Sequence, residues 1–327
     1  MNTVLVTGGA GFIASHVVDR LLDQGAAVTA LDNFDPYYDP AQKRRNVRAA
    51  QRSARYQLVE GDVCDAALVE RTFDACRPDL VVHLAARAGV RASVEDPARY
   101  LMVNELGALN VLTQAVRRGG VPICLASTSS VYGNSTAVPF DEAAVAAEPL
   151  SPYAATKRAS ELMAYTYHYL YQLPVAVLRF FTVYGPRGRP DMAVAKFTES
   201  ILNGAPIRLH GEDTQRDFTF VDDIVNGVLG AARWVSEGRG FGTFNLGRSQ
   251  PVVVRRLIEL LAAEFGKSAD VVLGQLEPSE SLITAASTAR AEAAFGYQPS
   301  VPLEEGVKRW ATWYRESEES PAAALEK

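Results

Sequence analysis

The run Val4-Leu5-Val6-Thr7, Gly8-Gly9-Ala10-Gly11, Phe12-Ile13-Ala14 constrains this chain more than any other. A short apolar, β-branched stretch leads into clustered glycines and then into a helical pattern through Leu22. The reading is strand, tight turn, helix. Glycines at such a turn let a pyrophosphate approach the backbone, and the helix N-terminus behind them offers unpaired N–H groups and the positive end of a dipole. The next strand, Ala27-Val28-Thr29-Ala30-Leu31, ends at Asp32. An acid roughly 20 residues past the glycines can bind ribose hydroxyls and repel a 2′-phosphate. The pattern therefore predicts a dinucleotide, and NAD rather than NADP.

The same alternation continues. Tyr56–Glu60 precedes Gly61-Asp62-Val63, Leu80–Leu84 precedes Ala85-Ala86, and Val121–Leu125 precedes the run Ser127-Thr128-Ser129-Ser130. Helical patterns lie between them at about 66–76 and 98–118. Near-continuous apolar strands separated by amphipathic helices predict an α/β fold with a doubly wound parallel sheet of Rossmann type. Ligands bind at the carboxyl ends of strands in such sheets. The glycine turn, Asp32, Asp62, Ala85 and the serine run all follow strand ends, so one crevice should collect them.

A second signal lies at Tyr153-Ala154-Ala155-Thr156-Lys157. Positions i and i+4 of a helix share a face, so the phenol and the ammonium can enter one pocket. A nearby cation favours the phenolate and lowers the tyrosine pKa, which makes Tyr153 a general base; Thr128 can hold a substrate oxygen in line. A chance pair at an exposed helix start is the ordinary alternative, and the glycine turn weighs against it.

Composition narrows the rest. At 327 residues with 48% hydrophobic content the chain can bury a full core in two lobes. A net charge of −5 argues against nucleic acid or an anionic membrane as partner. Cys64, Cys76 and Cys124 lack CxxC spacing and read as reduced core thiols in a cytoplasmic protein. The first strand begins beside Met1, so no signal peptide is expected, and no apolar run is long enough to span a membrane. His16, His83, His168 and His210 have no metal-ligand spacing, so no metal is expected.

Residues 1–180 are expected to form the NAD-binding domain. Residues 181–316, looser and richer in Gly and Pro, are expected to form a smaller mixed α/β lobe over the crevice, with Phe241–Leu246 returning to the main sheet. The tail 317–327 should fray, and Ala322–Glu326 resembles a cloning scar. The stretch 153–172 is apolar or aromatic on nearly every face and predicts a homodimer formed with the helix near 98–118.

Taken together, the glycine turn, His83-Leu84-Ala85-Ala86, the serine run with Val131-Tyr132-Gly133, Ser151-Pro152-Tyr153-Ala154-Ala155-Thr156-Lys157 and the stretch Arg179–Pro186 resemble the extended short-chain dehydrogenase/reductase family. Within it the chain is most similar to nucleotide-sugar 4-epimerases, and more narrowly to those acting on UDP-glucuronate. That narrowing rests on the stretches Asp32–Pro40, Ala88–Arg91, Arg179–Ala193 and Arg216–Asp223. The resemblance covers about residues 3–312. Three departures stand out: Ala14 at the third glycine position, Arg87 where the pattern has glutamine, and the segment Glu277–Ala289 on the uridine side.

The resemblance implies epimerisation of UDP-glucuronate to UDP-galacturonate at C4, through a 4-keto sugar and transient reduction of retained NAD. It implies Tyr153, Lys157 and Thr128 as catalytic. It implies NAD contacts from Gly8, Gly11, Phe12, Ile13, Asp32, Asn33, Asp62, Val63, Leu84, Ala85, Ala86, Asn104, Tyr153, Lys157 and Phe180. The substrate set is Arg91, Thr128, Ser129, Ser130, Thr182, Arg189, Arg208, His210 and Arg216, with Arg216 as a diphosphate clamp and Arg208 and His210 beside the uracil. Thr128, Ser129, Ser130 and Thr182 would ring the sugar carboxylate, with Arg189 adding charge or, alternatively, pairing with Asp191. Dehydratases place an acidic pair after the threonine, where Ser129 and Ser130 stand here, and two hydroxyls cannot serve as acid and base near neutral pH. A neutral-sugar 4-epimerase (for UDP-glucose or UDP-N-acetylglucosamine), a UDP-glucuronate decarboxylase and a non-catalytic NAD sensor are the alternatives.

Overall fold

The structure, a computed structural model, describes residues 1–135, 137–275 and 281–317. The expected frayed tail beyond Ser317, its scar-like segment, and residues 277–280 of the unusual uridine-side stretch lie outside the described residues. Strands in chain order are β1 (Thr3–Thr7), β2 (Ala27–Asp32), β3 (Tyr56–Glu60), β4 (Leu80–His83), β5 (Ile123–Thr128), β6 (Val175–Phe180), β7 (Thr182–Tyr184), β8 (Ile207–His210), β9 (Gln215–Arg216), β10 (Phe218–Phe220), β11 (Phe241–Leu246), β12 (Val252–Val253) and β13 (Val271–Gly274).

Seven of them form one sheet in the order β11-β6-β5-β4-β1-β2-β3, with every pairing parallel. Its central strand shows why the sequence reads as a continuous apolar run. Val4 and Val6 pack with Val17 and Leu21 of helix Phe12–Asp23 on one face, while Leu5 packs with Phe73 and Leu112 on the other. All three strand residues are fully buried, as a sheet covered on both faces requires. The strand order reverses between β1 and β4, which places the switch point, and its crevice, at their carboxyl ends.

The helical stretch near 98–118 is three pieces: helix Pro97–Leu101, a π-helical turn Met102–Leu106 and helix Gly107–Arg117. The π turn carries the buried Asn104. Such widened turns accommodate an extra residue in a helix and often adjoin functional sites.

Beyond β6 the strands outside the main sheet pair two by two: β7 with β10, β9 with β12, and β8 with β13. Buried carboxylates knot this region together. Asp217 accepts hydrogen bonds from the backbone N–H groups of Arg248 (2.7 Å), Ser249 (2.9 Å) and Ala286 (2.9 Å). Asp223 accepts from those of Ser300 (2.9 Å) and Val301 (3.0 Å). Asp217 thereby satisfies N–H groups of two separate loops and Asp223 those of one, none of them reached by a sheet ladder. Strand β11 lies against β6 at the sheet edge, so residues beyond 181 also complete the main sheet.

Candidate active site

The glycine turn is fixed by contact. Gly8 has φ +69°, and a Cβ there would lie 2.8 Å from the Ala85 backbone. Only glycine meets both conditions. Helix Phe12–Asp23 then starts after Gly11, which offers no side-chain cap. The first N–H groups of that helix are therefore left for a ligand, a fit to an anionic diphosphate.

Asp32 is buried, and its two oxygens accept from Ala10 N (3.0 Å) and Phe34 N (2.8 Å). Burial pushes its carboxyl upward, while those bonds and the Lys43 ammonium pull it down. Each oxygen keeps a lone pair for a ribose hydroxyl. Asn33 donates to Asp62 Oδ2 (2.9 Å), which holds the next strand's end beside it. One crevice gathers Gly8, Gly11, Phe12, Ile13, Asp32, Asn33, Asp62, Val63, Leu84, Ala85, Ala86 and Phe180 together with Thr128, Tyr153 and Lys157. Asn104 does not line it. Its amide instead braces the loop after β4, accepting from Arg87 N (2.8 Å) and donating to Arg87 O (3.1 Å) and Thr156 Oγ1 (3.0 Å).

Ser151 caps helix Pro152–Tyr171 by accepting from Ala154 N, with Pro152 at the first helical position. That start puts Tyr153 in the first turn and Lys157 one turn on, both facing the crevice. Burial raises the Tyr153 phenol; its hydrogen bond with Thr128 and the Arg189 charge oppose the rise. This reverses the expected lowering by Lys157. The physical reason is that burial disfavours the charged form of both partners, and it drives the Lys157 ammonium down to about 8 against the pull of Glu161. Thr128 Oγ1 accepts from Ser130 N (3.1 Å) and donates to Ser130 Oγ (3.1 Å), which ties this hydroxyl to the serine turn.

The remaining residues expected at the substrate are dispersed. Arg189 lines the crevice but is paired with Asp191, Nε to Oδ1 at 2.9 Å and Nη2 to Oδ2 at 2.6 Å. Thr182 lies on β7 beside a small apolar cavity that also touches Tyr184, Phe218 and Trp310. Ser129 and Ser130 start a 3₁₀ turn and are half-buried outside the main crevice's lining. Arg91 is exposed on helix Val90–Glu95. Arg208 and His210 lie on β8, the arginine exposed and the histidine bonded to Gln275 O (3.2 Å). Arg216 on β9 donates to the carbonyls of Gln215 and Ser281, each at 2.9 Å.

Several crevice residues escaped the sequence reading. Asp35, Tyr37, Tyr38, Lys43 and Arg87 all line it. The Asp32–Pro40 run had marked the resemblance, yet beyond Asp32 and Asn33 its polar side chains had been given no chemistry. Arg87, at the departure from glutamine, pairs with Asp35 (2.9 Å) and lies over the Tyr37 ring (4.9 Å). Glu161, fully buried one turn after Lys157, pairs with Arg179 (2.8 Å) and accepts from Ser127, the neighbour of Thr128. Among the described residues no His, Cys, Asp and Glu cluster could hold a metal, and no helix is long and apolar enough to cross a membrane.

A glycine turn against a switch-point crevice, with a tyrosine–lysine pair across from it, defines a Rossmann-type protein of the short-chain dehydrogenase/reductase class. Residues 4–247 match the NAD dependent epimerase/dehydratase family, and the chain belongs to it. It is 40% identical to the probable UDP-glucuronate 4-epimerase of Rhizobium meliloti (strain 1021), over 95% of this chain and 96% of that one. The crystal structure of UDP-glucuronic acid 4-epimerase from Bacillus cereus, in complex with UDP-glucuronic acid and NAD, superposes with a TM-score of 0.90 at 31% identity, covering 96% and 99% of the two chains. That of UDP-glucose 4-epimerase from Thermotoga maritima, with UDP-glucose, gives 0.86 at 33% identity, covering 97% and 99%.

Proposed function

We propose that this protein is an NAD-dependent UDP-glucuronate 4-epimerase, interconverting UDP-glucuronate and UDP-galacturonate through a 4-keto sugar. The observation that carries the reading is the convergence of Thr128, Tyr153 and Lys157 on the crevice whose far wall is the glycine turn. NAD bound there supplies a reversible acceptor for the C4 hydride. Tyr153 takes the proton of the sugar 4-hydroxyl and returns it, Thr128 keeps that oxygen in line, and Lys157 contributes positive charge beside the phenol. Inversion needs the sugar to turn over, so binding energy belongs on the UDP, with Arg216 as its clamp and Arg208 and His210 nearby. Arg189, with Thr128, Ser129, Ser130 and Thr182, is assigned to the uronate carboxylate.

The NAD part is assigned to residues 1–180 and the sugar-nucleotide part to 181–316. A homodimer through helix Pro152–Tyr171 is supported by its uncovered apolar face, where Tyr169 is 70% and Leu170 59% exposed. Three free thiols favour a reducing, cytoplasmic setting. Light scattering tests the dimer; a stable monomer at micromolar concentration rejects it. Tyr153→Phe tests the chemistry. It should lower turnover of UDP-glucuronate by about 10²–10⁴-fold while NAD stays bound. Retained epimerisation would remove the general-base role.

A further inference from the structure

We infer that Asp191 and Tyr37 are positioning residues for sugar recognition: together they hold the Arg189 guanidinium with one amino group turned to the crevice for the carboxylate of a uronic acid. The inference rests on the proposed function and adds to it two side chains that act through Arg189.

Asp191 takes the guanidinium side-on through Nε and Nη2, at 2.9 and 2.6 Å. Nη2 also donates to Ala88 O at 3.4 Å. Nη1 is then the one guanidinium nitrogen without a hydrogen bond among the described residues, on a side chain that lines the crevice. Tyr37 Oη donates to Asp191 Oδ2 at 3.2 Å, and the guanidinium carbon lies 5.6 Å from the Tyr37 ring centroid. The plane of the fork is thus fixed from two sides. An arginine without such support is a long, freely rotating side chain.

The support is itself anchored. Tyr37 N donates to Asp35 Oδ1 at 2.9 Å, and Asp35 is paired to Arg87 and Arg99. A Cβ on Gly89 would come within 2.8 Å of Tyr37 Oη, so glycine there leaves room for the hydroxyl. Burial and the Asp191 charge push the Tyr37 phenol up to about 12, so it stays a donor at neutral pH. The Arg189 charge holds Asp191 low, so it stays an acceptor.

The chemistry explains the need for rigidity. In a 4-keto uronic acid the carboxylate is β to the carbonyl. When its bond to C5 aligns with the carbonyl π system, that bond breaks, its electron pair forms the enolate, carbon dioxide leaves, and a proton restores the ketone. A carboxylate gripped by a fixed amino group keeps the C5–C6 bond near the carbonyl plane, out of that alignment, by resisting the change of ring pucker that would swing it there.

The test uses the purified holoenzyme, as Asp191→Asn and as Tyr37→Phe, with UDP-glucuronate. Products are separated by anion exchange and identified by mass spectrometry, and UDP affinity and retained NAD are measured alongside. Asp191→Asn should raise KM for UDP-glucuronate by about tenfold, the loss of one charge-assisted contact. It should also enlarge the share of UDP-pentose and leave UDP affinity unchanged. Tyr37→Phe should shift both in the same direction by about threefold, and it decides alone if the first variant fails to fold. Wild-type KM and pentose share in the variants would overturn the inference, as would tighter UDP-glucuronate binding by Asp191→Asn, which would make the aspartate a competitor of the substrate. A wild-type protein that leaves UDP-glucuronate unchanged defeats the proposed function instead.

Discussion

At the carboxyl edge of the main sheet, Gly8, Asn33, Gly61 and Leu84 directly follow β1, β2, β3 and β4, and all four line one crevice. Beyond residue 181, Arg208 and Arg216 sit on two different two-stranded pairs, and neither reaches that crevice's lining. The first region meets the crevice at positions dictated by where strands end. The second uses side chains on short segments whose placement depends on tertiary knots such as Asp217. Under the proposed function, cofactor recognition is written in local sequence, and sugar recognition in contacts between distant segments.

The largest effect is expected at a buried ion pair of the first region, one turn beyond Lys157. Glu161 and Arg179 are both buried, and Arg179 Nη1 already lacks a partner among the described residues. Glu161→Gln should cost about 3–5 kcal/mol of stability, because it leaves a buried guanidinium unpaired. Denaturant unfolding measures this. A loss below about 1 kcal/mol, the surface-pair range, would show the pair is not a keystone.

Arg216→Ala should weaken UDP binding by about 1.5–3 kcal/mol, the value of a hydrogen bond to a charged group, and leave NAD in place. Calorimetry with UDP reads the effect. Release of NAD by this variant would blur the division between the two regions.

A smaller effect concerns pH. With the Lys157 ammonium held down to about 8, activity should fall as pH rises through that value. Its usual value is 10.5, so between the two the unfolded chain binds more protons and stability should rise with pH. Burying the charged form costs stability below about 8, and that cost fades above it. Opposite trends of activity and of stability, taken relative to Lys157→Met, are the signature; parallel trends would contradict it.

The sheet, the glycine turn and the Tyr153–Lys157 pair were legible because each depends on spacing within one element. Residues 98–118 read as one helix, because apolar periodicity does not register the widened turn around Asn104. Asn104 itself holds the loop that carries Arg87 rather than lining the crevice. The serine turn and Thr182 were visible as hydroxyl residues, yet their orientation is set by β7–β10 pairing and a 3₁₀ turn that no periodicity reveals. Tyr37 and Asp191 are 154 residues apart and meet only in the fold. The pKa of Tyr153 went against expectation for a related reason: desolvation depends on everything packed around the ring, and sequence supplies only the neighbour one turn away.

In the proposed reaction this crevice retains NAD and uses it to invert C4 of a UDP-uronic acid. The most direct test is incubation of the purified protein with UDP-glucuronate and no added NAD, followed by product identification. UDP-galacturonate is the expected product. Unchanged substrate, with or without NAD supplied, would contradict it.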